Sequence, residues 1–267
     1  MLLPRVITGM LLALIGIAIV FLASNQTFIL ITALILLMAA FEWTKLCGIS
    51  SLLHKAAYVG IIAILMWLVD CFVPIMPLML VALLFWLYAL YLVCLYPRGM
   101  SQWTKKSTRA VMGFFVLVPS WMAINYIRVG LHHKWSLLLM FLIVWSADIG
   151  AYFVGKRFGQ RRLMPMVSPK KTWEGFFGGL ALSMLVAWLG LILGGVPHIH
   201  WLVVMILVAV LNVFSVAGDL FESMLKRHEQ LKDSGSILPG HGGVLDRLDS
   251  LMAVAPVFVL GFLLYWF

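Results

Sequence analysis

The chain has 267 residues, of which 64% are hydrophobic, and its mean hydropathy is +1.07. This composition excludes a soluble domain, and the continuous apolar runs exclude a membrane β-barrel, whose strands alternate apolar and polar residues. The formal net charge of +9 favours anionic partners. Cys47, Cys71 and Cys94 lie in or beside apolar runs and indicate neither a disulfide framework nor a metal-binding motif.

Nine apolar stretches follow one another along the chain, each long enough to cross a bilayer. The first stretch follows Arg5, but it is long for a signal peptide and no small-residue cleavage site follows it, so we expect an uncleaved span. We therefore predict an all-α polytopic membrane protein, one integral membrane domain over 1–267 with five spans in 1–135 and four in 136–267. The predicted spans are roughly 6–24, 27–43, 56–73, 77–95, 110–130, 136–155, 175–194, 201–222 and 250–267.

Basic residues are distributed unevenly between the two sides that nine spans would create. The N-terminus and the connections after spans 2, 4, 6 and 8 share one side, and they carry 17 of the 19 Lys and Arg residues. Only Arg128 and Lys134 fall on the other side. The positive-inside rule therefore predicts a cytoplasmic N-terminus, and it places the long connections 156–174 and 223–249 on the cytoplasmic face.

Carboxylates occur near the same membrane boundary on three of the predicted spans. Asp148 precedes the cytoplasmic end of span 6 by about 10 Å, Asp219 is near the end of span 8, and Asp246 and Asp249 open span 9. Ionisable groups at membrane depth are costly and usually functional. The pattern favours a metal site just inside the boundary, although Asp148 or Asp219 alone would also fit a hydrogen-bonded structural carboxylate.

Other charged residues of the cytoplasmic side are interpreted as structural or interfacial. Glu42 ends span 2 and is expected to pair with Lys45, with indirect support of the site as the alternative. Lys105, Lys106 and Arg109 occupy a connection without acids. We expect these three bases to set the orientation of the protein and to attract anionic lipid.

A short basic segment, Ser168-Pro-Lys-Lys-Thr-Trp-Glu-Gly175, precedes span 7. Ser168 followed by Pro169 predicts a helix N-cap with proline at the first helical position. The next residues would then lie at a helix N-terminus, where free N–H groups and the helix dipole favour phosphate. Attraction of anionic lipid by a juxtamembrane basic patch is the alternative. We predict a substrate-binding role for this segment through Ser168, Lys170, Lys171, Thr172 and Trp173.

The polar stretch 223–249 concentrates charge in a chain that is only 11% charged. Its glycines leave the backbone bare, so N–H groups can approach an anion, and its carboxylates suit a hard cation such as Mg²⁺. A solvated connection between two spans is the alternative, although such connections are usually shorter. We predict a site for a phosphate–metal complex, with catalytic roles for Asp219, Asp246, Lys226, Arg227, Lys232, Asp233, His241 and Arg247 and substrate binding by Gly242 and Gly243.

This stretch reads S-x-L-K-R-x4-K-D-x-G-x2-L-P-x-H-G-G-V-x-D-R-L-D, which resembles the signature of the phosphatidate cytidylyltransferase (CDP-diacylglycerol synthase) family without a gap. The row of spans and the preceding basic segment are also similar to this family. The resemblance implies transfer of a cytidylyl group from CTP to phosphatidic acid, which gives CDP-diacylglycerol and pyrophosphate. It also implies a homodimer in the bacterial inner membrane, with the active site facing the cytoplasm. Its partners would be membrane lipids and a nucleotide, with no nucleic acid.

The resemblance further implies Mg²⁺ as the cofactor and leaves open a second, monovalent cation such as K⁺. We predict Asp219 and Asp246 as the metal ligands, with Asp148 and Asp249 as additional ligands or as support. Two alternatives stay open. A transporter of an anionic solute would place polar residues near the bilayer midplane and often show an internal repeat, neither of which is found here. A related CTP-dependent enzyme acting on another lipid phosphate or alcohol is the nearer alternative.

Overall fold

A computed structural model describes residues 3–130, 134–194, 201–237 and 242–266. Within these residues the chain forms nine α-helices and one short β-hairpin, so the predicted helical class is confirmed. The helices are α1 (Leu3–Leu22), α2 (Asn25–Leu46), α3 (Leu52–Phe72), α4 (Ile75–Leu95), α5 (Lys106–Asn125), α6 (Lys134–Phe158), α7 (Trp173–Leu193), α8 (Trp201–His228) and α9 (Leu245–Trp266).

Eight of these helices, α2 to α9, are long and apolar enough to cross a membrane, which confirms a polytopic membrane protein. A π-helical turn, Tyr126–Gly130, extends the span of α5. Helix α1 is not counted among these eight, so the first of the nine predicted spans stays a prediction.

Helices α6 and α7 form the most extensive contact between any two elements of the described chain. A Cβ atom added to Gly150 would lie 2.5 Å from the carbonyl oxygen of Gly178, and one added to Gly179 would lie 2.5 Å from that of Ala147. The absence of side chains therefore lets the two backbones touch. The small-residue pair Gly175 and Gly179 consequently packs within this chain, a point that the sequence left open.

A β-hairpin precedes α7 and replaces the predicted helix start. Its strands, β1 (Arg162–Met164) and β2 (Ser168–Thr172), pair antiparallel, with Met164 opposite Ser168. The prediction that Ser168 caps a helix with Pro169 at its first position is wrong. Lys170 and Lys171 are therefore presented from a strand and not from a helix N-terminus.

Thr172 takes the capping role that was predicted for Ser168. Its hydroxyl oxygen accepts a hydrogen bond from the Gly175 N–H at 3.1 Å, and α7 begins at Trp173. Glu174 lies in the first turn and accepts from the backbone N–H groups of Gln160 and Arg161, which ties the helix start to the hairpin. The first turn of α7 therefore forms four residues later than the sequence suggested.

The polar connection near the C-terminus is shorter than predicted, because helical structure enters it from both sides. Helix α8 continues to His228, and α9 begins at Leu245. The connection is thus 229–244, and not 223–249. Lys226 and Arg227 lie on the last turns of α8, whereas Asp246 lies in the first turn of α9. The spans predicted from hydropathy were too short at these ends, because the polar turns of a helix are not apolar and hydropathy does not detect them.

Buried contacts join the ends of α2, α5 and α8. Arg109 is only 2% exposed, pairs with Glu229, and donates to the Leu46 carbonyl at 2.7 Å. The expectation that Arg109 attracts lipid is therefore wrong, because its guanidinium is inside the protein. Lys106 donates to the Gly48 carbonyl at 2.8 Å. The pair of Arg109 with Glu229 connects the first and second halves of the chain at one end of the helix bundle.

At the opposite end of the bundle, two bases bind the last carbonyls of α1. Arg128 is buried and donates to Val20 at 2.7 Å and to Ala23 at 2.8 Å. Lys134 donates to Phe21 at 2.9 Å. Cations at a helix C-terminus satisfy carbonyls that lack intrahelical partners. The two bases that the sequence assigned to the far side thus have a structural role there.

Candidate active site

A cavity of about 450 Å³ lies where the α6–α7 pair meets α8 and α9. Strand β2 of the hairpin and Asp233, in the connection between α8 and α9, also line it. Four elements, α6, β2, α8 and α9, and the connection between α8 and α9 therefore supply its charged groups. Its acids are Asp148, Asp219, Asp233, Asp246 and Asp249, and its bases are Lys170, Lys171, Lys226 and Arg247.

Asp219 of α8 faces the hairpin. Its Oδ2 atom lies 2.6 Å from Nζ of Lys171, and its Oδ1 atom accepts from the Ser223 hydroxyl at 3.1 Å. Ser223 is one helical turn further along α8, so this hydrogen bond is local. The pairing with Lys171 is not local, and it holds β2 against α8.

Asp246 is held by several polar contacts, from one lysine and two backbone N–H groups. Lys226 Nζ lies 2.8 Å from its Oδ1 atom. The backbone N–H groups of Ser234 and Gly243 donate to its Oδ2 atom at 3.0 and 2.8 Å. Gly242 has φ +81, and a Cβ there would lie 2.7 Å from Oδ2 of Asp246. Glycine is therefore required at 242 for both conformation and space.

Asp148 and Asp249 line the same cavity from α6 and α9. Asp249 lies within electrostatic range of both Asp219 and Asp148, and Asp148 lies within range of Lys171 and Arg247. The four acids that the sequence singled out therefore share one enclosed volume. Their proximity concentrates negative charge that bound cations would offset.

Several predicted residues stand apart from the cavity wall. Arg227 donates its Nε–H to the Val167 carbonyl at 3.3 Å, which ties α8 to the hairpin. Lys232 is exposed, as is the Trp173 side chain. Ser168 is at the start of β2 and does not line the cavity. His241 lies outside the described residues.

Two buried carboxylates of this region were missed or underestimated by sequence reasoning. Glu222 is 2% exposed, and its Oε1 atom lies 3.1 Å from Nζ of Lys226. It follows Asp219 by three residues, so the helical period placed it beside the predicted site. Glu42 of α2 is fully buried, and among the described residues it forms no ion pair with Lys45. No local signal linked Glu42 to the distant connection that it contacts.

The donor set has the chemistry of a hard-cation site, since it offers carboxylate oxygens. In the described part of the chain, no three His, Cys, Asp or Glu side chains converge as a ready-made ligand group. Ammonium groups stand instead beside the two predicted ligands, Lys171 at Asp219 and Lys226 at Asp246. The carboxylate oxygens of Asp219 and Asp246 are therefore placed to bind a positively charged group.

A bundle of membrane-spanning helices with a cavity of paired acids and bases at one end defines a class of protein. It is a membrane-embedded protein equipped for anionic, phosphate-bearing ligands. The chain belongs to the cytidylyltransferase family, whose model matches residues 3–265. The family resemblance drawn from the signature stretch is thereby confirmed.

Relatives that carry a more specific name cover nearly the whole chain. A phosphatidate cytidylyltransferase of Pseudomonas aeruginosa is 40% identical over 97% of this chain and 96% of its own length. The enzyme of that name from Haemophilus influenzae is 34% identical over 97% of both chains. The one from Bacillus subtilis is 49% identical over 43% of this chain and 42% of its own length.

Proposed function

We propose that this protein transfers a cytidylyl group from CTP to phosphatidic acid, which gives CDP-diacylglycerol and pyrophosphate. Membership of the cytidylyltransferase family and the full-length relatives support a nucleotidyltransferase. The structural observation that carries the proposal is the cavity, where five acids and four bases meet at one end of a bundle of apolar helices. A polyphosphate with its cation and an anionic lipid would both find complementary groups there.

The reaction is an in-line displacement at phosphorus. A phosphate oxygen of phosphatidic acid, already an anion at neutral pH, attacks the α-phosphorus of CTP. The bond from that phosphorus to the oxygen of the β-phosphate breaks, and pyrophosphate leaves with the electron pair. No side-chain nucleophile is needed, so the protein contributes position and charge neutralisation.

Basic side chains are assigned to the phosphates. Lys171 and Lys226 are the principal candidates, because their ammonium groups already lie in the cavity within 2.6–2.8 Å of carboxylate oxygens. Lys170 and Arg247 line the same volume. Charge-assisted hydrogen bonds from these groups would orient the triphosphate and stabilise the charge that builds up on pyrophosphate.

Asp219 and Asp246 are assigned as ligands of Mg²⁺, with Asp148 and Asp249 in support. Bound Mg²⁺ would supply charge neutralisation on the polyphosphate. A second, monovalent cation such as K⁺ follows from the family resemblance. Hydrogen bonds from Ser223 to Asp219, and from two backbone N–H groups to Asp246, orient these oxygens in advance.

The cavity is assigned to the cytoplasmic face of a bacterial inner membrane, with the N-terminus on that side. The uneven distribution of bases supports this orientation, since 17 of 19 fall on the side of the cavity. A homodimer is proposed from the family resemblance.

The test uses purified protein in detergent with Mg²⁺, radiolabelled CTP and phosphatidic acid. The expected result is a lipid-soluble cytidine product together with pyrophosphate. Diacylglycerol and a polyprenol serve as alternative acceptors in matched reactions. Preference for either alternative would reassign the acceptor, and the absence of any lipid-soluble label would refute nucleotidyl transfer by this protein.

A further inference from the structure

A carboxylate from the first half of the chain lies beneath the connection that carries the site. Glu42 of α2 has no exposed surface. Its Oε2 atom accepts from the Leu245 N–H at 2.8 Å and lies 3.4 Å from the Ser234 hydroxyl. Its Oε1 atom has no hydrogen-bond partner among the described residues. A buried carboxylate with so few partners is costly, so its retention calls for a reason beyond packing.

The residues that contact Glu42 are also those that hold Asp246. Ser234 donates its backbone N–H to Asp246 and directs its hydroxyl towards Glu42. Gly243 donates its N–H to Asp246. Leu245, which donates to Glu42, directly precedes Asp246 in the first turn of α9. Glu42 and Asp246 therefore bind two sides of the same backbone.

Two glycines bring that backbone into direct contact with Glu42. A Cβ atom on either Gly235 or Gly243 would collide with the Glu42 carboxylate. Neither glycine has a positive φ, so space and not conformation is what requires glycine at these positions. The backbone of the connection therefore packs closely against Glu42 at two places, Ser234–Gly235 and Gly243–Leu245.

We infer that Glu42 is a positioning residue, which holds the ends of the connection and thereby aims Asp246 into the cavity. Glu42 does not line the cavity itself. The inference deepens the proposed function, on which it rests, because Asp246 is there assigned to the metal. It also gives α2, which supplies no group to the cavity wall, a defined part in the site.

Three substitutions test the inference through activity. Glu42→Ala removes the acceptor, and we expect kcat to fall about tenfold or more with the KM for phosphatidic acid within about twofold, since small misplacement of a catalytic group is costly. Glu42→Gln retains a carbonyl acceptor for Leu245 and should keep at least about a third of the rate. Thr44→Val is the matched control, because Thr44 is equally buried on α2 and, among the described residues, its hydroxyl bonds only within its own helix.

A double-mutant cycle tests whether the contact is direct. Gly235→Ala should lower kcat about tenfold or more, because the new methyl group collides with Glu42, which supplies all three of the atoms nearest to it. In the Glu42→Ala background the same change should cost little further, since the shortened side chain leaves room. Additive losses would overturn the inference.

Amide hydrogen exchange gives a readout that does not depend on catalysis. Glu42→Ala should accelerate exchange in peptides that cover 242–250, and Thr44→Val should not. If wild-type protein forms no lipid-soluble product, the proposed function fails while this readout still decides the positioning role. If Glu42→Ala yields no folded protein, Gly235→Ala takes its place, with Gly60→Ala as control, since a Cβ at Gly60 meets nothing within 4 Å. Unchanged exchange would refute the role of Glu42.

Discussion

Lys171 Nζ lies 2.6 Å from Oδ2 of Asp219, and this contact joins the hairpin before α7 to the middle of α8. The two residues are 24% and 33% exposed, so the pair is open to the cavity and is not sealed inside the protein. An ammonium group in this position can turn from the carboxylate to a phosphate without moving the backbone. The contact therefore distinguishes Lys171 from the exposed Lys105 of the predicted cytoplasmic side.

Neutralising Lys171 should impair the handling of CTP. Lys171→Gln is expected to raise the KM for CTP or lower kcat by about tenfold or more, since a charge-assisted hydrogen bond is worth roughly 1.5–3 kcal/mol. The control is Lys105→Gln, an exposed base whose side chain makes no capping bond, and its effect should stay below about twofold. Lys106 is a poorer control because it bonds Gly48. Equal effects at 171 and 105 would show that the basic residues act on CTP only through their combined electrostatic field and not through specific contacts.

Removing a predicted metal ligand should abolish turnover. Asp219→Asn and Asp246→Asn are nearly isosteric changes that remove charge and one ligand oxygen, so each protein should fold in detergent but lose activity. Asp70→Asn on the exposed surface of α3 is the matched control and should be neutral. If both site variants keep more than about a tenth of the wild-type rate at saturating Mg²⁺, they are not essential ligands.

The orientation can be measured by cysteine labelling with a membrane-impermeant reagent. Cys71 and Cys94 are exposed and are replaced first, whereas Cys47 can stay because burial raises the pKa of its thiol to about 12. Gln160→Cys and Ser236→Cys should react only after the membrane is opened, as expected for cytoplasmic positions.

Gln26→Cys, at the opposite end of the bundle, should react in intact spheroplasts. All three side chains are exposed, so access to the reagent is limited by the membrane alone. Labelling of Ser236→Cys from outside would reverse the predicted orientation.

The contact between α6 and α7 predicts a stability effect at Gly179. Gly179→Ala adds a Cβ that would lie 2.5 Å from the Ala147 carbonyl, so the helices must separate, which typically costs about 1–3 kcal/mol. Gly60→Ala is the matched control, and there the change should be neutral or slightly stabilising. Thermal unfolding in detergent measures both. A Tm for Gly179→Ala equal to that of Gly60→Ala would contradict the close approach.

Local sequence patterns predicted the membrane spans and much of the candidate site. A membrane span needs a continuous apolar run, so hydropathy found the stretches that become α2 to α9. The signature stretch was also readable, since Asp246 and Asp249 stand close to its glycines and bases and Asp219 precedes it by four residues. Helix ends were less readable, because the polar turns of α8 and α9 carry no hydropathy signal.

Tertiary structure alone decided which groups meet. Ser168 and Thr172 are both good N-caps, and pairing of β2 with β1 selected Thr172 by placing Ser168 in a strand. Arg109 looked like a surface base until the fold placed it against Glu229. The contact of Glu42 with Leu245 joins residues 203 positions apart, and no periodicity reaches that far. Such contacts depend on how whole helices pack, which is a property of the assembled bundle and not of any one segment.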